Sequence, residues 1–277
     1  MKSQADHRTT RSNLSQRLLA IPADTTLRLL VLAAHPDDET IGASALLAKS
    51  PCAAVAYLTD GAPRDPRFWT GGSYTSREDY AKTRRKEAAQ ALDYVGISDE
   101  RVFWLGGVDQ EVAFEMPSLA AKLTDVLRER TPHVLITHPY EGGHPDHDSA
   151  SLIAWLAVSQ LAGSPPEILE MTSYHAGDGQ CVTGEFLNAT AEIVIELSKI
   201  DQGRKRKMLD AYASQRLVLE SFGTDRERFR KAPEYDFSQP PHEGKLWYEC
   251  MGWPMTGTRW RELATAAMSA AESSSCR

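Results

Sequence analysis

The chain has 277 residues, 42% of them hydrophobic and 25% charged, enough to bury a large core. Its formal net charge of -7 argues against a nucleic-acid partner, which needs a basic face, and suits a small molecule or neutral glycan better. No run reaches the ~20 apolar residues that span a bilayer, and Met1 to Arg17 lacks the apolar segment of a signal peptide. The expectation is therefore a soluble cytoplasmic protein without membrane insertion.

Residues 1–13 are expected to be disordered, leading into a short helix over Asn13–Ala20. Leu27–Ala34 is an almost unbroken apolar run, the pattern of a parallel strand buried on both faces. It ends at His35-Pro36-Asp37-Asp38-Glu39-Thr40, where Pro36 stops a central strand and the acids favour a helix start. In an open α/β sheet, ligands bind beyond the carboxyl ends of strands. A turn entering a helix there can aim the His35 imidazole and the Asp38 carboxylate at one point, with Asp37 beside them. That would make two metal ligands and one base, although acids at the exposed end of a strand also cap helices.

Ile41–Lys49 reads as a helix and Ala53–Leu58 as the second strand, followed by a polar loop over Thr59–Asp65. In that loop Asp60 and Arg64 are candidates to contact a substrate, with a solvated turn as the alternative. Asp65–Ser76, with Phe68, Trp69 and Gly71-Gly72, reads as an inserted flap. Ser76–Val95 is a long helix whose Arg77, Lys82, Arg84, Arg85 and Lys86 read as a solvated face, and Gly96 ends it. Arg101–Leu105 is the third strand, with Gly106–Gln110 as its exit loop and Asp109 at the strand end. Pro117–Arg130 is an amphipathic helix.

His133–Thr137 repeats the buried-strand pattern and leads through His138 and Tyr140 to His144-Pro145-Asp146-His147-Asp148, which opens a helix through Leu161. Three-residue spacing puts His144 and His147 on one helix face, where Asp146 or Asp148 could orient one of them. Two His-Pro-Asp segments, each after a buried strand, exceed what capping explains. Further on, Glu167–His175 reads as a strand, Ala191–Leu197 as a half-exposed edge strand and Lys199–Leu219 as a helix. Lys245–Met251 reads as a strand and Thr258–Ala271 as a last helix, ahead of a frayed tail over 272–277. The strand and helix alternation predicts a single domain over 1–277. Cys52, Cys181, Cys250 and Cys276 show no paired spacing and read as buried or incidental thiols in a reducing compartment.

Ala34–Glu39 (Ala-His-Pro-Asp-Asp-Glu) and His144–His147 (His-Pro-Asp-His) resemble, without a substitution, the two motifs of the LmbE-like or PIG-L family of zinc-dependent N-acetylglucosamine de-N-acetylases. The resemblance implies a Rossmann-like three-layer α/β fold with a mostly parallel sheet and the active site at the carboxyl ends of the strands. It implies Zn2+ held by His35, Asp38 and His147, and Asp37 as general base. His144, when protonated, would stabilise the oxyanion or protonate the leaving amine, and Asp146 would tune or orient His144. Some relatives carry a tyrosine at the position of Gly142, which leaves Tyr140 as a candidate for that role, and Asp109 matches acidic residues that contact substrate hydroxyls. Arg84 and Glu87 match an Arg-x-x-Glu of relatives, in which Glu87 could support the active-site edge from behind, and Tyr212 stands where many relatives have histidine. The implied partner is a small N-acetylated sugar or glycoconjugate. A metal-dependent hydrolase of a non-sugar amide or ester, or a catalytically silent carbohydrate-binding protein, would share the same fold. A nucleotide-binding Rossmann protein would need a glycine-rich turn where this chain has His-Pro-Asp-Asp.

Overall fold

The structure, a computed structural model, describes Leu18 and residues 26–188 and 191–275. Its centre is β1 (Leu29–Ala33), buried at every position, as a strand covered on both faces must be. Successive side chains point to opposite faces. Leu30 and Leu32 therefore join one core and Leu29, Val31 and Ala33 the other. Beside β1 lie β2 (Ala54–Pro63), β3 (Val102–Asp109), β4 (Val134–Thr137) and β5 (Glu167–Met171), all parallel, in the order β3-β2-β1-β4-β5. A separate hairpin, β6 (Tyr174–Gly177) and β7 (Gln180–Thr183), follows. The antiparallel strands β8 (Glu192–Glu196) and β9 (Arg226–Lys231) then extend the main sheet from β5, with β8 at the edge.

The helices α1 (Asp38–Lys49), α2 (Arg77–Asp93), α3 (Met116–Arg130) and α4 (Pro145–Ser159) alternate with the parallel strands. After them come α5 (Lys199–Ala211), the short α6 (Arg216–Leu219) and α7 (Trp247–Cys250), and α8 (Gly257–Ser275). One core packs α3, α4 and α8 through residues such as Leu119, Leu156 and Trp260; the other packs α1, α2 and α5 through Leu46, Leu92 and Met208. The result is the expected three-layer α/β fold with a mostly parallel sheet. β1 lies between β2 and β4, so the chain runs outward from it in both directions. That is the switch point at which such sheets open a crevice, and the two His-Pro-Asp segments follow β1 and β4.

Several element boundaries differ from expectation. β2 runs on to Pro63, so Asp60 belongs to a strand and not to a loop, and β3 takes in Gly106–Asp109. Glu167–His175 breaks after Met171, sending Tyr174 and His175 into the separate hairpin. The helix expected over Lys199–Leu219 stops at Tyr212, whose φ of -85° and ψ of 60° are not helical. Lys245–Met251 forms the helical turn α7 and no strand. β9 was not expected because only one of its six residues, Phe229, is apolar; its buried Arg230 and Glu227 survive there by ion pairing with Glu170 and Lys205. The last helix reaches Ser275, into the stretch expected to fray. Cys52, Cys181 and Cys250 are exposed, contrary to the buried reading. Residues 1–13 and Cys276 lie outside the described residues, as does the Asn13–Ala20 helix apart from Leu18. No helix among the described residues is long and apolar enough to cross a membrane.

Trp260 links this frame to the second motif. It is fully buried, and its indole N–H donates to Ser149 Oγ at 2.9 Å and to the Pro145 carbonyl at 3.2 Å, on the first turns of α4. Trp260→Ala is expected to cost about 3–5 kcal/mol, measured as a fall in urea midpoint. A loss below ~1 kcal/mol, the ordinary scale of a point mutation, would show that α8 is not needed to hold α4.

Candidate metal centre and active site

The end of β1 is tied to the end of β4 before the site begins. The Ala34 N–H donates to His138 Nε2 at 3.2 Å, and Thr59 Oγ1, midway along β2, donates to the Ala34 carbonyl at 2.9 Å. The chain then turns at Asp37, the N-cap of α1, which has φ 115°. A non-glycine residue holds such a backbone only if its surroundings fix it. They do so here: the buried Arg84 guanidinium donates to Asp37 Oδ2 at 2.9 Å and to the Pro36 carbonyl, and the Asp37 N–H donates to Glu39 Oε2 at 3.1 Å. Arg84 is itself held by Glu87 and Ser214, each at 3.3 Å.

Asp38 lies at the centre of the cluster. Its Oδ2 accepts the His35 N–H at 2.8 Å and stands 3.4 Å from His35 Nδ1, while its Oδ1 stands 3.3 Å from His147 Nε2. The other nitrogen of His35, Nε2, faces Asp146 Oδ2 at 3.1 Å and Asp109 Oδ1 at 3.2 Å. Asp146, fully buried, also accepts the backbone N–H groups of Gln110 at 2.7 Å and Val112 at 3.2 Å. His147 stacks on His138 with ring centroids 4.0 Å apart, and its Nδ1 lies 3.3 Å from Ser173 Oγ. His144 caps α4, its Nδ1 accepting the Asp146 N–H at 3.1 Å. That leaves Nε2 as the nitrogen that carries hydrogen.

The ionisation states follow from burial. Burial raises the Asp37 carboxyl to about 7 against the pull of Arg84, and lowers His147 to about 3 with His138 adding to the effect. Burial also raises Asp146 to about 6 in spite of the hydrogen bond from His35. For Asp38 the upward push of burial is outweighed by His147 and His138, which hold its carboxyl well below the usual range.

The ligand atoms of His35, Asp38 and His147 lie within 4.8 Å of one another and could hold a metal ion. The donor set fits zinc. Two imidazoles and one carboxylate are ordinary ligands of zinc, and His35 and His147 lie 3.4 and 3.3 Å from the two oxygens of the Asp38 carboxylate, close enough to converge on one ion. His35 has one nitrogen on the cluster and the other on a carboxylate, the usual orientation of a metal-binding histidine. A second group, His35, Asp109, His144 and Asp146, overlaps the first.

The model of the PIG-L family, described as GlcNAc-PI de-N-acetylase, matches residues 30–158, which contain both His-Pro-Asp segments. The chain is 34% identical over 178 residues to a 1D-myo-inositol 2-acetamido-2-deoxy-alpha-D-glucopyranoside deacetylase of Catenulispora acidiphila, covering 52% of each protein. It is 30% identical over 174 residues to a mycothiol S-conjugate amidase of Streptomyces coelicolor, covering 53% of this chain and 58% of that protein. The chain thus spans about half the length of the curated relatives it matches. Among solved structures, N,N'-diacetylchitobiose deacetylase from Pyrococcus horikoshii superposes with a TM-score of 0.57 at 19% identity, covering 84% of this chain and 93% of that one. The A40926 pseudoaglycone deacetylase Dbv21 also gives 0.57, at 17% identity, covering 76% and 100%. At these identities the structures speak for the fold.

Within the PIG-L stretch, His35, Asp37, Asp38, Asp109, His144, Asp146 and His147 come together at the ends of β1, β3 and β4. Asp146 differs in detail from expectation: its carboxylate is turned to His35, and only its backbone N–H reaches His144. The remaining substrate candidates are engaged elsewhere. Asp60 pairs with Arg77 at 2.7 Å, and Arg64 is exposed and pairs with Glu111 at 2.8 Å. Tyr140 is buried against Trp260, and its hydroxyl donates to the Gln239 carbonyl at 2.8 Å. The sequence reading missed His138 and Ser173 as site residues and put Arg84 on a solvated face, whereas it is buried and held by Glu87, the residue expected to support the site edge. Arg84 carried a signal: Tyr80, Arg84, Glu87, Ala88 and Ala91 are all buried, one helix stripe at i, i+4, i+7, i+8 and i+11.

Arg84→Met is expected to destabilise the fold by about 3–5 kcal/mol, because it leaves the buried Asp37 and Glu87 without their cation; urea denaturation measures it, and a change near zero would mean that water replaces the guanidinium. Zinc at ~100 times its Kd should raise the stability of the wild-type chain by about 2.7 kcal/mol. The same zinc should leave His147→Ala nearly unmoved, and equal gains in both proteins would remove His147 from the ligand set.

Proposed function

We propose that this chain is a zinc-dependent hydrolase that removes the N-acetyl group from an N-acetylglucosamine-type sugar or a conjugate of one. The observation that carries the reading is the Asp37 carboxylate, fixed by Arg84 at 2.9 Å beside a set of two imidazoles and one carboxylate that could hold a metal ion. The names of the family and of the relatives support the acyl and the sugar. When bound, zinc supplies Lewis acidity, lowering the pKa of a water ligand to about 7 and polarising a carbonyl.

The residues of the chain divide the rest of the work. Asp37 takes a proton from the attacking water, for which a base with a pKa near the working pH is best suited. The water oxygen bonds to the acetamide carbon, and His144 Nε2–H donates a hydrogen bond where negative charge or the leaving amine develops. In the neutral form His144 can already act as that donor, since its Nδ1 is engaged by the Asp146 N–H. The carbon–nitrogen bond breaks, the proton held by Asp37 passes to the amine, and acetate leaves. Asp146 and Ser173 orient His35 and His147. A second reading, hydrolysis of a different kind of amide on the same site, is favoured by the similarity to a protein named as an amidase.

Acetate release from N-acetylglucosamine and its glycosides, measured with and without a chelator and after zinc is restored, tests the reading. Chelator-sensitive release supports it, and metal binding without release from any N-acetyl sugar moves the assignment to the second reading. Asp37→Asn should lower kcat by about 100-fold to 10,000-fold with metal content unchanged by elemental analysis. A wild-type rate in that variant would remove Asp37 as the base.

A further inference from the structure

Two aromatic residues from distant parts of the chain meet beside His144. The Trp253 ring, in the segment between α7 and α8, stands edge-to-face with the His144 imidazole at a centroid distance of 4.5 Å and an interplanar angle of 65°. Phe68, in the short helical turn Pro66–Phe68, faces Trp253 at 6.4 Å and 88°. Both side chains are partly exposed. The other rings against His144, those of His35 at 4.5 Å and His147 at 5.2 Å, are its neighbours within the His/Asp cluster.

Neither aromatic sits on a loose segment. Asp65 caps the Pro66–Phe68 turn by accepting the Arg67 N–H at 2.9 Å, the Trp69 indole N–H donates to the Pro63 carbonyl at 2.9 Å, and Thr70 Oγ1 donates to the Ser214 carbonyl at 2.5 Å. The Trp253 N–H donates to the Tyr248 carbonyl at 3.2 Å, closing a turn through Gly252 at φ 67°. Both rings are thus presented in fixed positions.

We infer that Trp253, backed by Phe68, forms the wall of the subsite that receives the pyranose ring bearing the cleaved amide. The inference rests on the proposed deacetylation. In that reaction the nitrogen stays on the sugar and departs on the His144 side, so the ring carbon bearing it must lie next to His144. The metal-ligand cluster occupies the buried side of His144, which leaves the ring to extend toward Trp253. An indole face suits the apolar C–H face of a pyranose, and pockets use such rings to orient a ligand whose polar groups are met elsewhere. The ligand class is an N-acetylated pyranoside, free or carrying an aglycone. Simple N-acetyl amines lack the face that Trp253 would cover.

Steady-state acetate release from N-acetylglucosamine and its phenyl glycoside tests this in the zinc-loaded wild type and in Trp253→Ala, Trp253→Phe and Phe68→Ala. Trp253→Ala should raise KM by about 10-fold with kcat within ~3-fold, and Trp253→Phe should recover most of the loss, the scale expected for one aromatic contact. Phe68→Ala should shift KM in the same direction by less. Unchanged KM in Trp253→Ala, or a lower KM as expected of a plug, would overturn the inference. So would an equal fall in kcat in Trp253→Ala and Trp253→Phe at constant KM, which would make the ring a support for His144 alone. A wild-type chain that binds zinc but releases acetate from neither sugar would overturn the proposed function, and the subsite with it.

Discussion

Asp38 is the carboxylate on which three imidazoles converge. Of the three imidazoles around its carboxylate, His138 already uses Nε2 to accept the Ala34 N–H, so its 3.4 Å approach to Asp38 is not a hydrogen bond. Burial lowers His147 to about 3, and its two ring nitrogens face Ser173 Oγ and Asp38 Oδ1, each at 3.3 Å. His35 gives Asp38 its backbone N–H, while its ring Nε2 serves Asp146 and Asp109. Buried polar groups crowded this closely are costly unless each is paired, and a bound cation would pair them. The neighbouring carboxylates show the contrast. Asp146 has two backbone N–H groups and Asp37 has Arg84. At Asp38 the facing groups are imidazole nitrogens, which together with its carboxylate could hold a metal ion.

Close packing behind the cluster holds these groups together. Arg84 reaches Asp37 past Gly61, where an added Cβ would stand 2.9 Å from both Arg84 Nε and Pro36 Cδ, and Gly61 has the φ of 65° that glycine tolerates. Gly143 is as constrained, since a Cβ there would come within 2.0 Å of the Tyr174 carbonyl oxygen. The loop before the second motif therefore passes between the hairpin and α7 with no room for a side chain. Glu39, one residue beyond the cluster, is fully buried and accepts from Thr40 and from the Tyr212 hydroxyl at 2.7 Å. Each acid near the site is answered from a different element, so the strained turn at Asp37 is fixed from several directions.

The parts of the site that follow one another in the chain could be read from the sequence. Apolar runs ending in His-Pro-Asp mark both a buried strand and what it delivers, so β1, β4 and the starts of α1 and α4 were evident, and with them six residues of the cluster. Contacts that depend on distant segments were not evident. Arg84 looks like any helix cation until Glu87, Ser214 and Asp37 close around it, and Ser173 gains its place only because the fifth strand stops at Met171. β9 was hidden because charge pairing replaced apolar burial, which a hydrophobic pattern cannot report. Tyr140 was misleading for the opposite reason: a tyrosine near the motif is close in sequence, but Trp260, far along the chain, draws its ring into the core.

The boundary of the PIG-L stretch at residue 158 divides the site in a physically sensible way. Every side chain that would hold the metal or move a proton lies before it, on strand ends and first helical turns whose geometry the sheet dictates. The groups that close around them from outside, Ser173, Tyr212, Ser214 and Trp253, all lie after it. Rigid elements are suited to chemistry, where small displacements of reacting groups cost rate. Connecting segments on the surface tolerate change and can vary what the site admits. Here such a segment brings Trp253 to within ring contact of His144. The inner shell would then fix which bond is cut, and the later part of the chain would select the molecule that carries it.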